Sequence, residues 1–214
     1  MAAYSHADVD SGIADVLLWP LMTVAGLVRV RRFDRREYDV LVERGFFRYD
    51  ERLELLDGLL LVKEPQSSAH MTALRLAEDA LRLAFGAGWD VRAQGPVALD
   101  RRSEPEPDVS VVRGSPRDYR EAHPRSPALV VEVALASLRL DRTRKCRAYA
   151  RAGVPEYWIV NLVDRVLDVH REPALLGGPR RRWGYRSVES LGGDASVSPL
   201  AAPAARVAVA DLLP

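Results

Sequence analysis

Residues 129–133 read Leu-Val-Val-Glu-Val, an apolar run broken by one carboxylate. A valine-rich run of this length is a strand buried on both faces. An ionised glutamate in such a strand is costly unless it is paired or bound to a cation. Glu132 therefore predicts a covered central sheet and a partner for its side chain, either a cation or a salt-bridging arginine. Working outward, Val109–Val112 is a second apolar strand, opened by Asp108 after Pro107. Downstream, residues 141–152 read as a helix closed by Gly153, Tyr157–Val160 as another buried strand, and Val166–His170 as its alternating antiparallel neighbour. Strand, helix and strand in this order predict an α/β (α+β) fold with a central mixed sheet flanked by helices.

Nearer the N-terminus, Asp34 offers a helix N-cap, with Glu37 as capping-box partner and Gly45 as the stop. Leu53–Leu56 and Leu59–Val62 flank Asp57-Gly58, a strong hairpin signal in which Asp57 serves the turn. Residues 69–85 carry Leu74, Ala77, Leu81 and Ala84 at helical spacing. Strands are expected near 89–93 and 96–99, a proline-rich loop over Arg101–Pro107, a Gly/Pro/Arg loop over 173–182 and a last strand at Val207–Val209. Residues 1–29 lack periodicity and read as an N-terminal extension; residues 30–214 read as one domain.

The chain has 214 residues and a formal net charge of +1, so any basic surface must be local. The one cysteine, Cys146, excludes an internal disulfide and a cysteine-cluster metal site. Val16–Val28 is too short to span a bilayer and is interrupted by Pro20, and the stretch before it lacks a signal peptide's basic start. No membrane association and a cytoplasmic location are expected. Of 31 basic residues only Lys63 and Lys145 are lysine. A lysine kept in so arginine-rich a chain marks a place where arginine would not serve.

Three acids fall on or beside strands of the expected mixed sheet: Glu54 in the hairpin, taken as part of that sheet, Asp108 and Glu132. Brought together they would repel and raise one another's pKa unless a cation neutralised them. Oxygen ligands without a thiol favour Mg²⁺ or Mn²⁺. Lys145, on the helix after Glu132, supplies a compact charge near them. Asp108 and Glu132 are expected on neighbouring strands, with Glu54 approaching from the side of the first long helix.

Several stretches together resemble the Uma2 family, which is similar to restriction endonucleases of the PD-(D/E)XK class. They are Leu53-Glu54-Leu55-Leu56-Asp57-Gly58, Glu104-Pro105-Glu106-Pro107-Asp108, Val131-Glu132-Val133-Ala134 and Asp141-Arg142-Thr143-Arg144-Lys145, followed by Tyr149 to Asn161. The resemblance runs from about Arg32 to about Val188. It implies a restriction-endonuclease-like sheet and a metal-dependent nuclease site with Glu54, Asp108 and Glu132 as the acids. The simplest class pattern has lysine two residues after the second acid, where this chain has Ala134; the resemblance places it on the next helix, at Lys145. The chain departs from the family at Leu135-Ala136, where members often carry two polar residues, and at Asn161, where aspartate is usual.

The expected activity is Mg²⁺-dependent endonucleolytic hydrolysis of phosphodiester bonds in DNA, with Lys145 orienting or activating water. The alternatives are a non-catalytic nucleic-acid-binding or protein-interaction module on the same scaffold, and a nuclease acting on RNA or on particular structures. His70 is placed either to contact phosphate at a helix N-terminus or to cap the fold. Arg142 and Arg144 are either backbone-binding residues or part of a solvated helix face. Cutting two strands would suit a homodimer.

Overall fold

The computed structural model describes residues 30–48, 50–63, 65–177 and 181–214; the expected N-terminal extension and residues 178–180 of the expected loop lie outside them. Residues from Arg32 onward form one compact unit. Helix α1 (Arg35–Glu43) begins with the capping box: the Glu37 amide donates to Asp34 at 3.0 Å, and the Asp34 amide donates to the Glu37 carboxylate at 2.9 Å. Strands β1 (Leu53–Leu56) and β2 (Leu59–Val62) pair antiparallel across Asp57 and Gly58, both at positive φ. A Cβ on Gly58 would lie 2.9 Å from the Phe33 carbonyl oxygen, so the site demands glycine for space as well as for backbone angle.

Helix α2 (Ser68–Phe85) leads into β3 (Trp89–Ala93) and β4 (Val109–Arg113). Strand β5 (Leu129–Ala134) follows, then a helical segment made of α3 (Leu138–Leu140), a π turn (Asp141–Lys145) and α4 (Cys146–Arg151). Strands β6 (Glu156–Asn161), β7 (Val166–Leu176) and β8 (Arg182–Leu191) complete a six-stranded sheet in sequential order from β3 to β8. Only β5 and β6 are parallel, as expected for strands joined by a helical crossover. The short strands β9 (Ser196–Val197) and β10 (Val207–Ala208) form a separate pair.

Side chains on alternate positions of the sheet build two cores. Val109, Val111, Val131 and Val133 face Leu74, Ala77 and Leu81 of α2. Val130, Ile159 and Tyr157 face Tyr149 and Ala150 of α4. A sheet covered on both faces is what the valine-rich strands require.

The structure corrects four expectations. The β1–β2 hairpin is a sheet of its own rather than part of the central one. Residues 96–99 make no strand; their amides donate to separate loop carbonyls, Val97 to Pro105 and Ala98 to Pro124. The expected loop at 173–182 is mostly strand, with β7 reaching Leu176 and β8 starting at Arg182. Pro173 is tolerated there because β6 pairing ends at Arg171, leaving β7 with one neighbour, as on an edge. The helix after β5 starts at Leu138, three residues early, and contains the π turn.

His170 lies on the α4 face between the rings of Tyr157 and Tyr185, at 5.4 and 5.7 Å, and neither ring nitrogen has a hydrogen-bond partner. Burial pushes its pKa down to about 4; Asp168 opposes that shift and Arg142 adds to it. The unfolded chain therefore takes up this proton near pH 6.5 and the folded one does not, so stability is lost as pH falls from about 6.5 toward 4. His170→Phe should reduce the loss between pH 7 and 4.5 by roughly 2–3 kcal/mol, read from urea midpoints. Parallel losses in both proteins would refute this origin.

Candidate active site

Val109 pairs with Val131, so one further step of the register sets Asp108 opposite Glu132 on the neighbouring strand. Asp108 accepts a hydrogen bond from the Val133 amide at 2.8 Å, which pins its carboxylate across the β4–β5 junction. Its other oxygen meets His70 Nε2 at 3.1 Å and Gln66 Nε2 at 3.4 Å. Ser67 caps α2 through the His70 amide, at 3.2 Å, which fixes the turn from which the imidazole reaches Asp108.

Glu132 shares the face of Val130, toward α4. Its Oε1 accepts from Lys145 Nζ at 2.9 Å and from the Tyr149 hydroxyl at 2.6 Å. Lys145 also stands 3.3 Å from Glu54 Oε1, and the second Glu54 oxygen accepts from the Glu106 amide at 3.1 Å. The structure brings Glu54 to the α4 face, opposite to the α2 side expected from the sequence. The reason is that its hairpin lies outside the central sheet and is tied instead to the extended segment before Asp108, through hydrogen bonds between Leu55 and Glu104.

No sequence pattern marks Asp141 as a site residue, yet it joins these residues in the cavity lining. The π turn places it at the cavity wall; one oxygen accepts from the Ser137 hydroxyl at 2.6 Å, and the other is buried without a partner. A π turn often marks a functional position, but nothing in the local sequence announces one. Tyr149 is likewise unmarked as a site residue in the sequence, although its hydroxyl donates to Glu132.

Four carboxylates, of Glu54, Asp108, Glu132 and Asp141, are each no more than 3% exposed, and Lys145 is the ammonium among them. Burial, with Asp141, Asp108 and Glu54 adding to it, pushes Glu132 up to about 8 despite Lys145. Burial pushes Asp141 up to about 6. Burial also opposes ionisation of Asp108, but His70 and the Val133 amide outweigh it and lower its pKa. For Lys145, burial works against the charged form, and the carboxylates of Glu132, Glu54 and Asp141 override it and raise the pKa. Lys145 is thus a fixed ammonium.

All five residues line one cavity of about 350 Å³, open between β2, the start of α2 and the end of β5. Leu61, Val62, Leu135 and Ala136 make its apolar rim. Among the described residues no three Asp, Glu, His or Cys side chains are already gathered at metal-holding spacing; Lys145 bridges the gap between Glu54 and Glu132. Arg142 and Arg144 do not line the cavity. Arg142 donates twice to Asp168 of β7, at 3.0 and 2.7 Å, and so serves the sheet.

No helix among the described residues is long and apolar enough to cross a membrane. The crystal structure of a "putative nuclease belonging to DUF820" from Anabaena variabilis shares the fold, with a TM-score of 0.65 at 14% identity, covering 84% of this chain and 97% of that one. No curated protein matches the chain. The profile of the Uma2 family, described as "Putative restriction endonuclease", matches residues 36–210. Glu54, Asp108, Glu132, Asp141 and Lys145 all fall within that span, and the chain belongs to the Uma2 family.

Proposed function

We propose that this protein is a divalent-metal-dependent endonuclease hydrolysing phosphodiester bonds in DNA. The observation that carries the reading is the convergence of four buried carboxylates and one ammonium in a single open cavity. A buried excess of negative charge is stable only with protons or a cation to offset it. The donors are all oxygens, and the unpartnered Asp141 oxygen is a free lone pair at the same wall. That set fits a hard cation such as Mg²⁺ or Mn²⁺.

Asp108 and Glu132 would hold the ion, with Glu54 assisting and Asp141 within the same cavity. A bound ion would supply Lewis-acid polarisation of the phosphodiester and an acidified water. Lys145, kept charged by its carboxylate neighbours, acts as an electrostatic group: it orients water or offsets charge developing on phosphate rather than removing a proton. His70 holds Asp108 in place through the 3.1 Å contact. Tyr149 does the same for Glu132 and leaves the second Glu132 oxygen for the ion. The same cavity without chemistry would make a binding module, which keeps substrate intact.

Plasmid, single-stranded DNA and RNA incubated with Mg²⁺, Mn²⁺ or EDTA separate these readings. Cleavage of DNA with either ion, abolished by EDTA and lowered on the order of a hundredfold or more by Glu132→Gln, is the expected result. DNA bound but uncut under every condition would replace the enzyme with a binding module. Preferential cleavage of RNA would reassign the substrate.

A further inference from the structure

Among the described residues the cavity has no spare cation for the phosphates that flank a scissile bond. Its basic side chains are engaged: Lys145 with Glu132, His70 with Asp108, and Lys63 with Glu106, 3.7 Å from its carboxylate and 2.7 Å from its carbonyl. Backbone affinity must come from elsewhere on the surface. At the turn of the β1–β2 hairpin lies a groove of about 590 Å³, and a second of about 490 Å³ adjoins it through Asp100 and Arg101. Seven arginines line them against three aspartates. This is a local concentration of charge in a chain whose net charge is only +1.

We propose that this arginine surface binds the phosphodiester backbone of duplex DNA beside the reaction site; the proposal rests on the nuclease reading above. The three aspartates are taken up by two of the arginines. Arg151 meets Asp57 at 2.7 Å and Asp100 at 2.8 Å, and Arg101 meets Asp34 at 3.3 Å. Arg36, Arg102 and Arg125 are exposed and have no carboxylate partner among the described residues. Planar guanidinium groups match phosphate oxygens in pairs, which suits arginine to this task.

Among the described residues neither groove has an aromatic in its lining. Proteins that hold single strands use aromatic platforms for base stacking, so this surface reads backbone and favours duplex. The spacing also fits. Asp57, in the turn after β1, lines the groove of Arg102 and Arg151, and Glu54 lines the cavity; the two are three residues apart, at most about 10 Å. Lys145 and Arg151 lie six helical residues apart, about 9 Å. About 10 Å along a duplex is roughly three base pairs from the cut.

The test is fluorescence anisotropy in EDTA with a labelled duplex of about 20 base pairs, from about 50 to about 200 mM salt. The triple variant Arg36→Ala, Arg102→Ala, Arg125→Ala should bind at least about tenfold more weakly at low salt. Its slope of log K against log salt should flatten by about 2–3, at roughly 0.9 per lost phosphate contact. Lysine at the same three positions should restore most of the slope, and the melting temperature should not move in either variant. An unchanged slope in the alanine variant, with wild-type binding and cleavage intact, overturns this surface and leaves the nuclease reading standing. Tighter binding of an equal length of single-stranded DNA or RNA through the same arginines overturns the duplex assignment. A wild type that binds none of the three overturns both the surface and the nucleic-acid reading.

Discussion

Lys145→Arg should cleave DNA at least about a hundredfold more slowly than wild type while binding it within a few-fold. Lys145 is 5% exposed and sits 2.9 Å from Glu132 and 3.3 Å from Glu54, at the end of the π turn. An ammonium fits between two carboxylates as a point charge with three rotatable donors. A guanidinium is broader and planar, so it would push Glu132 away from Tyr149 or turn outward. Total charge is kept, so long-range attraction of DNA is kept; what is lost is one positioned group. The arginine-rich composition supports the distinction, because Lys145 is one of two lysines in the chain. Lys145→Met is the harsher variant: it strands Glu132, Glu54 and Asp141 without a cation and should cost about 3–5 kcal/mol of stability. Arg144→Lys is the control, half-buried on the same turn but outside the cavity lining, and should change neither rate nor binding. Wild-type turnover in Lys145→Arg, with a normal melting temperature, would remove Lys145 from the catalytic group.

What the sequence revealed depended on how local each signal is. The capping box, the Asp-Gly turn and the buried strand around Glu132 are carried by neighbouring residues, and each formed as read. Asp108 and Glu132 were legible as neighbours because both sit at fixed places on apolar strands. Strand β8 was not legible: only Gly184 and Tyr185 are buried along it, so it lacks the alternation that marks a strand. Its pairing comes from β7 rather than from its own pattern. The side of the sheet from which Glu54 arrives depends on contacts with residues 104–106, about fifty positions away, and no periodicity encodes them. In the sequence Asp141 is only the first residue of a family motif, and no periodicity marks it as buried; it lies in the π turn, held by the Ser137 hydroxyl. Arg142 reads from the sequence either as a backbone-binding residue or as part of a solvated face; its two bonds to Asp168 of β7 come from a long-range partner that no local pattern announces.

Millimolar Mg²⁺ or Mn²⁺ should raise the melting temperature of the wild type and leave Asp108→Asn nearly unmoved. In the metal-free fold the buried carboxylates outnumber Lys145, so part of the folding free energy is spent on confined negative charge. An ion that binds only the folded state at a hundred times its dissociation constant stabilises by about 2.7 kcal/mol, which for a chain of this size is a shift of about 5–10 °C. Asp108 is the informative position because the Val133 amide and His70 already hold its carboxylate in place. Asparagine there keeps the shape and one carbonyl oxygen but removes the charge, so the fold should survive while the ion's attraction is cut. Calcium separates occupancy from chemistry: it takes the same oxygen donors with looser geometry, and should raise the melting temperature even where it supports no cleavage. Equal shifts in wild type and Asp108→Asn would mean that the ion binds outside this cavity, and the four carboxylates would then be stabilised by Lys145, retained protons and their hydrogen-bond donors instead.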